Sequence, residues 1–304
     1  MRLGLKVDVD TLAGLRKGVP ALLQVLGERG IKASFFLALG PDNSGKAIFR
    51  VFRHQGFLDK MFRTRAPALY GLRTMLYGTL LPAPIIGEEA GELLPAVAAA
   101  GHEVGLHGYD HVLWHDRLLM MDREAVRREI EAAQAAFTRA LGYAARAFAA
   151  PGWQMSRTSR EVLEAMGFVY ASDTRGTGPY LPRFGAQVCR VPEIPTTLPT
   201  LDELLGFLGL SASEVFRLIL HRLEQASTPH VYTLHAEVEG GPCRQEFARF
   251  LDRCRQRGVQ FFRLSDWAGE LAAKQETLPA AEVFQGRLPG RAGRVTCQAV
   301  GAGT

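Results

Sequence analysis

The stretch Leu3-Gly4-Leu5-Lys6-Val7-Asp8-Val9-Asp10-Thr11 decides how this chain is read. Its aliphatic and β-branched residues form a short strand that ends on two carboxylates separated by a single valine. About a hundred residues later, in Gly101–His111, another short strand, Glu103-Val104-Gly105-Leu106, leads into His107 and His111. The spacing H-x-x-x-H brings both rings to one face of a helical turn or onto a tight loop. Such a pair alone is a common coincidence, and the strand and glycines before it give it weight. Imidazole nitrogen and carboxylate oxygen suit Zn²⁺, Co²⁺ or Mn²⁺, and three protein ligands leave room for water and substrate. Two buried like charges are costly without a cation. The alternative is that Asp10 merely caps the turn into the next helix, and the two aspartates are expected to converge only if the strand ends between them. His102 and His115 are read as peripheral.

Outward from this stretch, strand-like runs occur near 3–9, 33–39, 103–107, 145–150, 168–172, 187–191, 231–235 and 259–264. Helical patterns fall between them at about 18–29, 88–100, 122–140, 156–166, 211–226 and 242–257, with Asp122 as a candidate N-cap and Pro20 in a first turn. Alternating strand and helix calls for a parallel sheet, open or closed. Asp8, Asp10, His107, Asp173 and His235 all sit at C-terminal strand ends, where barrel enzymes collect catalytic groups from several strands. No Gly-rich phosphate loop follows the first strand, which argues against a dinucleotide-binding crevice. The expected fold is α/β: an irregular (β/α) barrel of seven or eight parallel strands, with a helical segment inserted after the second.

With 304 residues and 47% apolar composition, one domain over 1–276 is expected, followed by a Gly- and Pro-rich tail at 277–304 that is partly disordered. Cys189, Cys243, Cys254 and Cys297 show no C-x-x-C spacing, and the charged first ten residues do not read as a signal peptide, so a cytoplasmic protein with reduced thiols is expected. Within the insertion at 41–87, residues 46–77 carry Lys46, Arg50, Arg53, Lys60, Arg63, Arg65 and Arg73 against Asp59 alone, interleaved with aromatic and aliphatic side chains. That composition suits a helical element lying on anionic lipid, with Arg50, Arg53, Arg63 and Arg65 as membrane contacts. Ordinary amphipathic helices with solvated arginines are the plainer reading. Nucleic-acid binding is the weakest, because no reader motif accompanies the charge. No obligate protein partner is evident.

The ordered motifs are KVDVDT at 6–11, GPDN at 40–43, EVGLHGYDH at 103–111, APGW at 150–153, SDTRG at 172–176, IPTTLPT at 194–200 and YTLHAEVEG at 232–240. Together they resemble the polysaccharide deacetylase family, also called NodB-homology or carbohydrate esterase 4, over roughly residues 3–265. Within it they are most similar to deformylases of a formamido-arabinose carried on undecaprenyl phosphate. The resemblance implies a metal-dependent amide hydrolase that releases formate, on the cytoplasmic face of the bacterial inner membrane, in lipid A modification with aminoarabinose and resistance to cationic antimicrobial peptides. It implies Asp8 as catalytic base, His235 as general acid, and Asp10, His107 and His111 as holders of one divalent metal ion. Trp153, Asp173, Arg175 and Glu237 are then expected in the pocket or just behind these groups. The family often places an arginine in its third motif to steer the catalytic aspartate, whereas this chain has Phe148, Ala149 and Ala150 there. Arg175 is the expected substitute. The competing functions are a deacetylase of another N-acylated sugar or soluble amide, and a non-catalytic lipid-sugar binding protein.

Overall fold

In β1 (Arg2–Val9) every residue after Arg2 is buried, so both faces of the strand are covered, as in a parallel sheet flanked by helices. Alternation sorts the two faces. Leu3, Leu5, Val7 and Val9 join the large cluster packed under the helices. Gly4 faces the other way, toward the side chains of Phe262 and Leu264. The computed structural model describes residues 1–47, 71, 73–225, 228–273 and 277–299.

β1 pairs in parallel with β2 (Ser34–Leu37), with β8 (His230–His235) along most of its length, and with β9 (Gln260–Phe262) at its beginning. Beyond β2 come β3 (Glu103–Leu106), β4 (Ala147–Phe148) and β5 (Tyr170–Ala171), all parallel, giving the order β5-β4-β3-β2-β1-β8. The sheet curls, and an extended segment at 192–198 bridges its open side. The Ile194 amide donates to the Ala171 carbonyl at 2.8 Å, and the amides of Thr197 and Leu198 donate to the Val231 carbonyl at 3.1 and 3.2 Å. The irregular parallel barrel expected from the sequence is therefore present. Phe36, Ala147, Ala149, Tyr170, Ile194, Val231, Phe262 and Trp267 fill its interior. Gly105 belongs to this layer because a Cβ there would lie 2.7 Å from the Phe36 ring.

Helices cover the outside. The helix Arg123–Leu141 starts where Asp122 accepts a hydrogen bond from the Ala125 amide, and stops at Gly142 with φ 77°, a left-handed cap. Among the described residues, no helix is long and apolar enough to cross a membrane. The four cysteines are free and buried.

Two expectations need correction. The run at 187–191 is not a barrel strand: β7 (Gln187–Val188) forms a hairpin with β6 (Leu181–Phe184) in a separate sheet. The tail is also more structured than its composition suggests. β10 (Ala280–Gly286) pairs with β6, and β11 (Val295–Gln298) pairs with β10. Val295, Thr296 and Cys297 are buried, because this small sheet packs on Trp153. Arg50, Arg53, Arg63 and Arg65 lie outside the described residues. The start of the insertion is rooted beside the site: Asp42 accepts from the Leu12 amide at 2.9 Å, and Asn43 donates to the Asp110 carboxylate at 2.6 Å.

Candidate active site and metal centre

β1 runs unbroken through Val9, and residues two apart on a strand share a face. Lys6 and Asp8 therefore align inside the barrel, with Asp10 just beyond them, and no break between the aspartates is needed. His107 follows β3 directly. Gly108, at φ 72°, then turns the chain so that His111 opens the helix α1 (His111–Arg117), N-capped by the Asp110 carboxylate.

The His107 ring fixes the chemistry of the centre. Its Nδ1 lies 2.8 Å from the Ala149 carbonyl. A carbonyl only accepts, so Nδ1 carries the hydrogen and Nε2 presents its lone pair. That Nε2 faces Asp10 Oδ1 at 3.2 Å, and His111 Nε2 faces Asp10 Oδ2 at 3.4 Å. Two acceptors facing each other at such distances require a cation or an extra proton between them. Among the described residues, Asp10, His107 and His111 form a cluster whose donor atoms lie within 4.8 Å of one another. Asp10 Oδ1 is buried with no hydrogen-bond donor. The donor set fits a divalent ion. Burial opposes a charged His107, but Asp8 and Asp10 outweigh it and raise its pKa. Burial likewise opposes an ionised Asp10, yet His111 and His107 hold its pKa well below the usual carboxylate range.

Asp8 stands apart from the trio, with Oδ2 4.0 Å from His107 Nε2 and Oδ1 buried without a donor. Its register partner on the neighbouring strand is His235, so the two side chains flank the same opening. His235 Nδ1 lies 3.5 Å from Asp202 Oδ1, and its backbone amide donates to Glu239 at 3.0 Å. Burial disfavours the imidazolium, but Asp202, Asp10, Asp8 and Glu239 overcome this and hold its pKa at about 9. Glu237 lies behind the trio. Its Oε1 accepts from the amides of Asp10 and Thr11 and from the Thr11 hydroxyl, at 3.1, 2.9 and 2.7 Å. This clamps the loop that carries Asp10.

The family profile for polysaccharide deacetylase matches residues 7–171, more than half of the chain. The chain belongs to the polysaccharide deacetylase family. It is 35% identical over 298 residues to the probable 4-deoxy-4-formamido-L-arabinose-phosphoundecaprenol deformylase ArnD of Shewanella sediminis, covering 98% of this chain and 95% of that protein. To the protein of the same description from Wigglesworthia glossinidia brevipalpis it is 32% identical, covering 94% and 98%. A polysaccharide deacetylase structure from Mycobacterium smegmatis shares the fold with a TM-score of 0.64 at 19% identity, covering 94% of each chain.

As a polysaccharide deacetylase, the protein is an amide hydrolase of the deacetylase and deformylase type, and it departs from the expected orientation of Asp8. Arg175 does not reach Asp8. It donates to Glu203 at 2.6 Å and to the Leu198 carbonyl at 2.8 Å, and stacks 5.1 Å from the Trp153 ring. Among the described residues, Lys6 is the cation beside Asp8. Fully buried, its Nζ lies 3.5 Å from Asp8 Oδ2 and donates to the Ser172 carbonyl at 2.8 Å. Asp173 is deeper, 3.2 Å from Arg160, which also meets Glu193 at 3.2 Å. Burial raises the pKa of both acids, and Glu193 reaches about 8. Trp153 is buried against Val295 and Cys297 of the small sheet, with its ring edge-on to His235 at 6.2 Å and its Nε1 donating to Thr196 at 3.0 Å. Sequence reasoning missed Lys6, Asp202 and Glu239. Lys6 had a signal in its period-two spacing from Asp8, whereas Asp202 comes from a distant helix, Leu201–Leu204, with none.

Proposed function

We propose that the protein hydrolyses the formamide of 4-deoxy-4-formamido-L-arabinose linked to undecaprenyl phosphate, yielding formate and a free amino sugar on its carrier. In the cell this would serve lipid A modification with aminoarabinose and resistance to cationic peptides. The observation that carries this reading is the similarity to two deformylases along almost the whole chain. The intact set of Asp8, Asp10, His107, His111 and His235 supports a catalyst over a binding protein.

A divalent ion held by Asp10, His107 and His111 would supply polarisation of the amide carbonyl and a lower pKa for a bound water. The rest falls to the chain itself. Asp8 lies beside the trio without belonging to it, so its carboxylate is free to take the proton of the attacking water. Lys6 holds that carboxylate in place. His235, braced by Asp202, gives its proton to the departing amine. Trp153 limits solvent at the wall between them.

The test is formate release from the synthetic carrier-linked sugar, using metal-stripped and metal-restored enzyme. Asp8→Asn is expected to lower kcat by about 10² or more while keeping its bound metal. His111→Ala is expected to lose both metal and activity. If the restored wild type releases no formate, the substrate assignment is wrong and other N-acylated sugars become the candidates.

We also propose that the basic insertion meets the anionic membrane surface where the carrier resides, on the strength of its composition. Replacing Arg50, Arg53, Arg63 and Arg65 by Glu should abolish sedimentation with phosphatidylglycerol vesicles. Undiminished sedimentation would rule the contact out.

A further inference from the structure

Beside the catalytic end of the barrel is a cavity of about 780 Å³ for which the hydrolytic chemistry has no use. One wall is the helix of the metal ligand. His115 lies one turn, ~5.4 Å of rise, beyond His111, and the two rings stack with centroids 6.4 Å apart. The turn after that helix adds Leu119 and Met120, which are 58% and 67% exposed. The opposite wall is the connection between β10 and β11, which brings Arg287 and Arg294. Gln154, next to Trp153, ties the walls together by donating to the Arg294 carbonyl at 2.7 Å.

The lining is cationic and apolar at once. Arg287 and Arg294 are exposed, and neither meets a carboxylate among the described residues. The one acid in the lining, Asp116, lies 2.7 Å from His115 Nδ1. Two adjacent large apolar side chains left in water beside two such arginines suit a ligand that is both anionic and greasy. A free sugar is neither.

We propose that this cavity is the subsite for the lipid-phosphate part of the substrate, with Arg287 and Arg294 on the phosphate and Leu119 and Met120 on the first isoprenyl units. The inference rests on the deformylase reading above and gives it a place for the carrier. In a 4-amido pyranose 1-phosphate, the amide and the phosphate leave opposite ends of one ring. With the amide at the metal ligands, the phosphate emerges about one ring width away, on the scale of the step from His111 to His115. Arginine forks match phosphate oxygens, and the remaining chain needs an apolar surface on which to leave.

The test compares wild type with R287E/R294E on two substrates in detergent micelles, the carrier-linked formamido sugar and the same sugar without phosphate or lipid. The charge reversal is expected to raise KM at least about tenfold for the carrier-linked substrate, with kcat/KM for the truncated sugar unaltered. L119S/M120S should raise the same KM with the phosphate contacts intact. Equal KM values for wild type and R287E/R294E would overturn the subsite, as would an equal loss on both substrates, which would place the arginines in the fold or the catalytic centre. Lost sedimentation with phosphatidylglycerol vesicles at unchanged micellar KM would assign the arginines to bulk membrane contact instead. Wild-type enzyme inert on both substrates would sink the deformylase reading itself, and the subsite with it.

Discussion

Lys6 is an ammonium with no access to solvent, and its surroundings explain why it is tolerated there. It sits 3.5 Å from Asp8, donates to the Ser172 carbonyl, and is flanked by the rings of Trp153 and Phe36 at 5.6 and 5.9 Å. Removing one partner of such a buried pair leaves the other uncompensated, at a cost of about 3 kcal/mol. Lys6→Met should therefore lower the denaturant midpoint by that equivalent. It should also lower kcat by about an order of magnitude with metal content unchanged, because Asp10, His107 and His111 do not touch the ammonium. A variant with full kcat would show that Asp8 is oriented by something other than Lys6. Asp10, His107 and His111, which the fold gathers, were legible as a strand end and a spaced histidine pair, whereas roles for Asp8 and His235 came from the family resemblance. Their supports were less legible. Asp202 and Glu239 reach His235 through tertiary packing, and no spacing announces them.

Among the elements, the loop after β1 shows how the ligand set is held. Glu237 accepts three hydrogen bonds from Asp10 and Thr11, and Gly14 must lack a side chain, since a Cβ would come within 2.0 Å of Glu237 Oε1. Burial, then Asp10, raises the Glu237 pKa to about 7. The three donors need an acceptor oxygen more than a charge. Glu237→Gln should keep metal affinity close to wild type, whereas Glu237→Ala and Gly14→Ala should weaken it by roughly tenfold or more, measured by competition with a chromogenic chelator. Equal affinities for Glu237→Gln and Glu237→Ala would refute the clamp. The same scale shows where sequence reading fails. Local signals located the barrel strands and the helix caps, since a strand's alternation and the Asp122 cap are written in neighbouring residues. The bridging segment at 192–198 and the sheet of β6, β7, β10 and β11 depend on long-range pairing of short, Pro- and Gly-rich segments. Such segments have little periodicity of their own.

Across the whole molecule, buried acids concentrate around the barrel mouth, and their protons make stability depend on pH. Burial raises Glu239 to about 7, and burial with Asp173 raises Glu193 to about 8, both from 4.5. His235 is held at about 9 against an ordinary 6.5, its neighbouring carboxylates overcoming its burial. In each case the folded protein keeps a proton that the unfolded chain has released, so the contribution is complete below the unfolded pKa and is lost as pH rises through the folded one. His102 has the opposite sense, lowered to about 4 by burial, but it acts only below about pH 6.5. Glu237 and Glu129, which burial raises to about 7, behave alike, so between pH 6.5 and 8 these groups act in one direction. The metal-free protein should lose on the order of 3 kcal/mol over that interval, read from urea unfolding at each pH. Glu239→Gln should flatten the slope by removing one of these groups. Loading with a divalent ion should flatten it further, because ligands that must be deprotonated bind metal more tightly as pH rises. A metal-free protein equally stable at both ends of the interval would mean that these carboxyl groups are already ionised when buried, held by Arg160 and their hydrogen-bond donors alone.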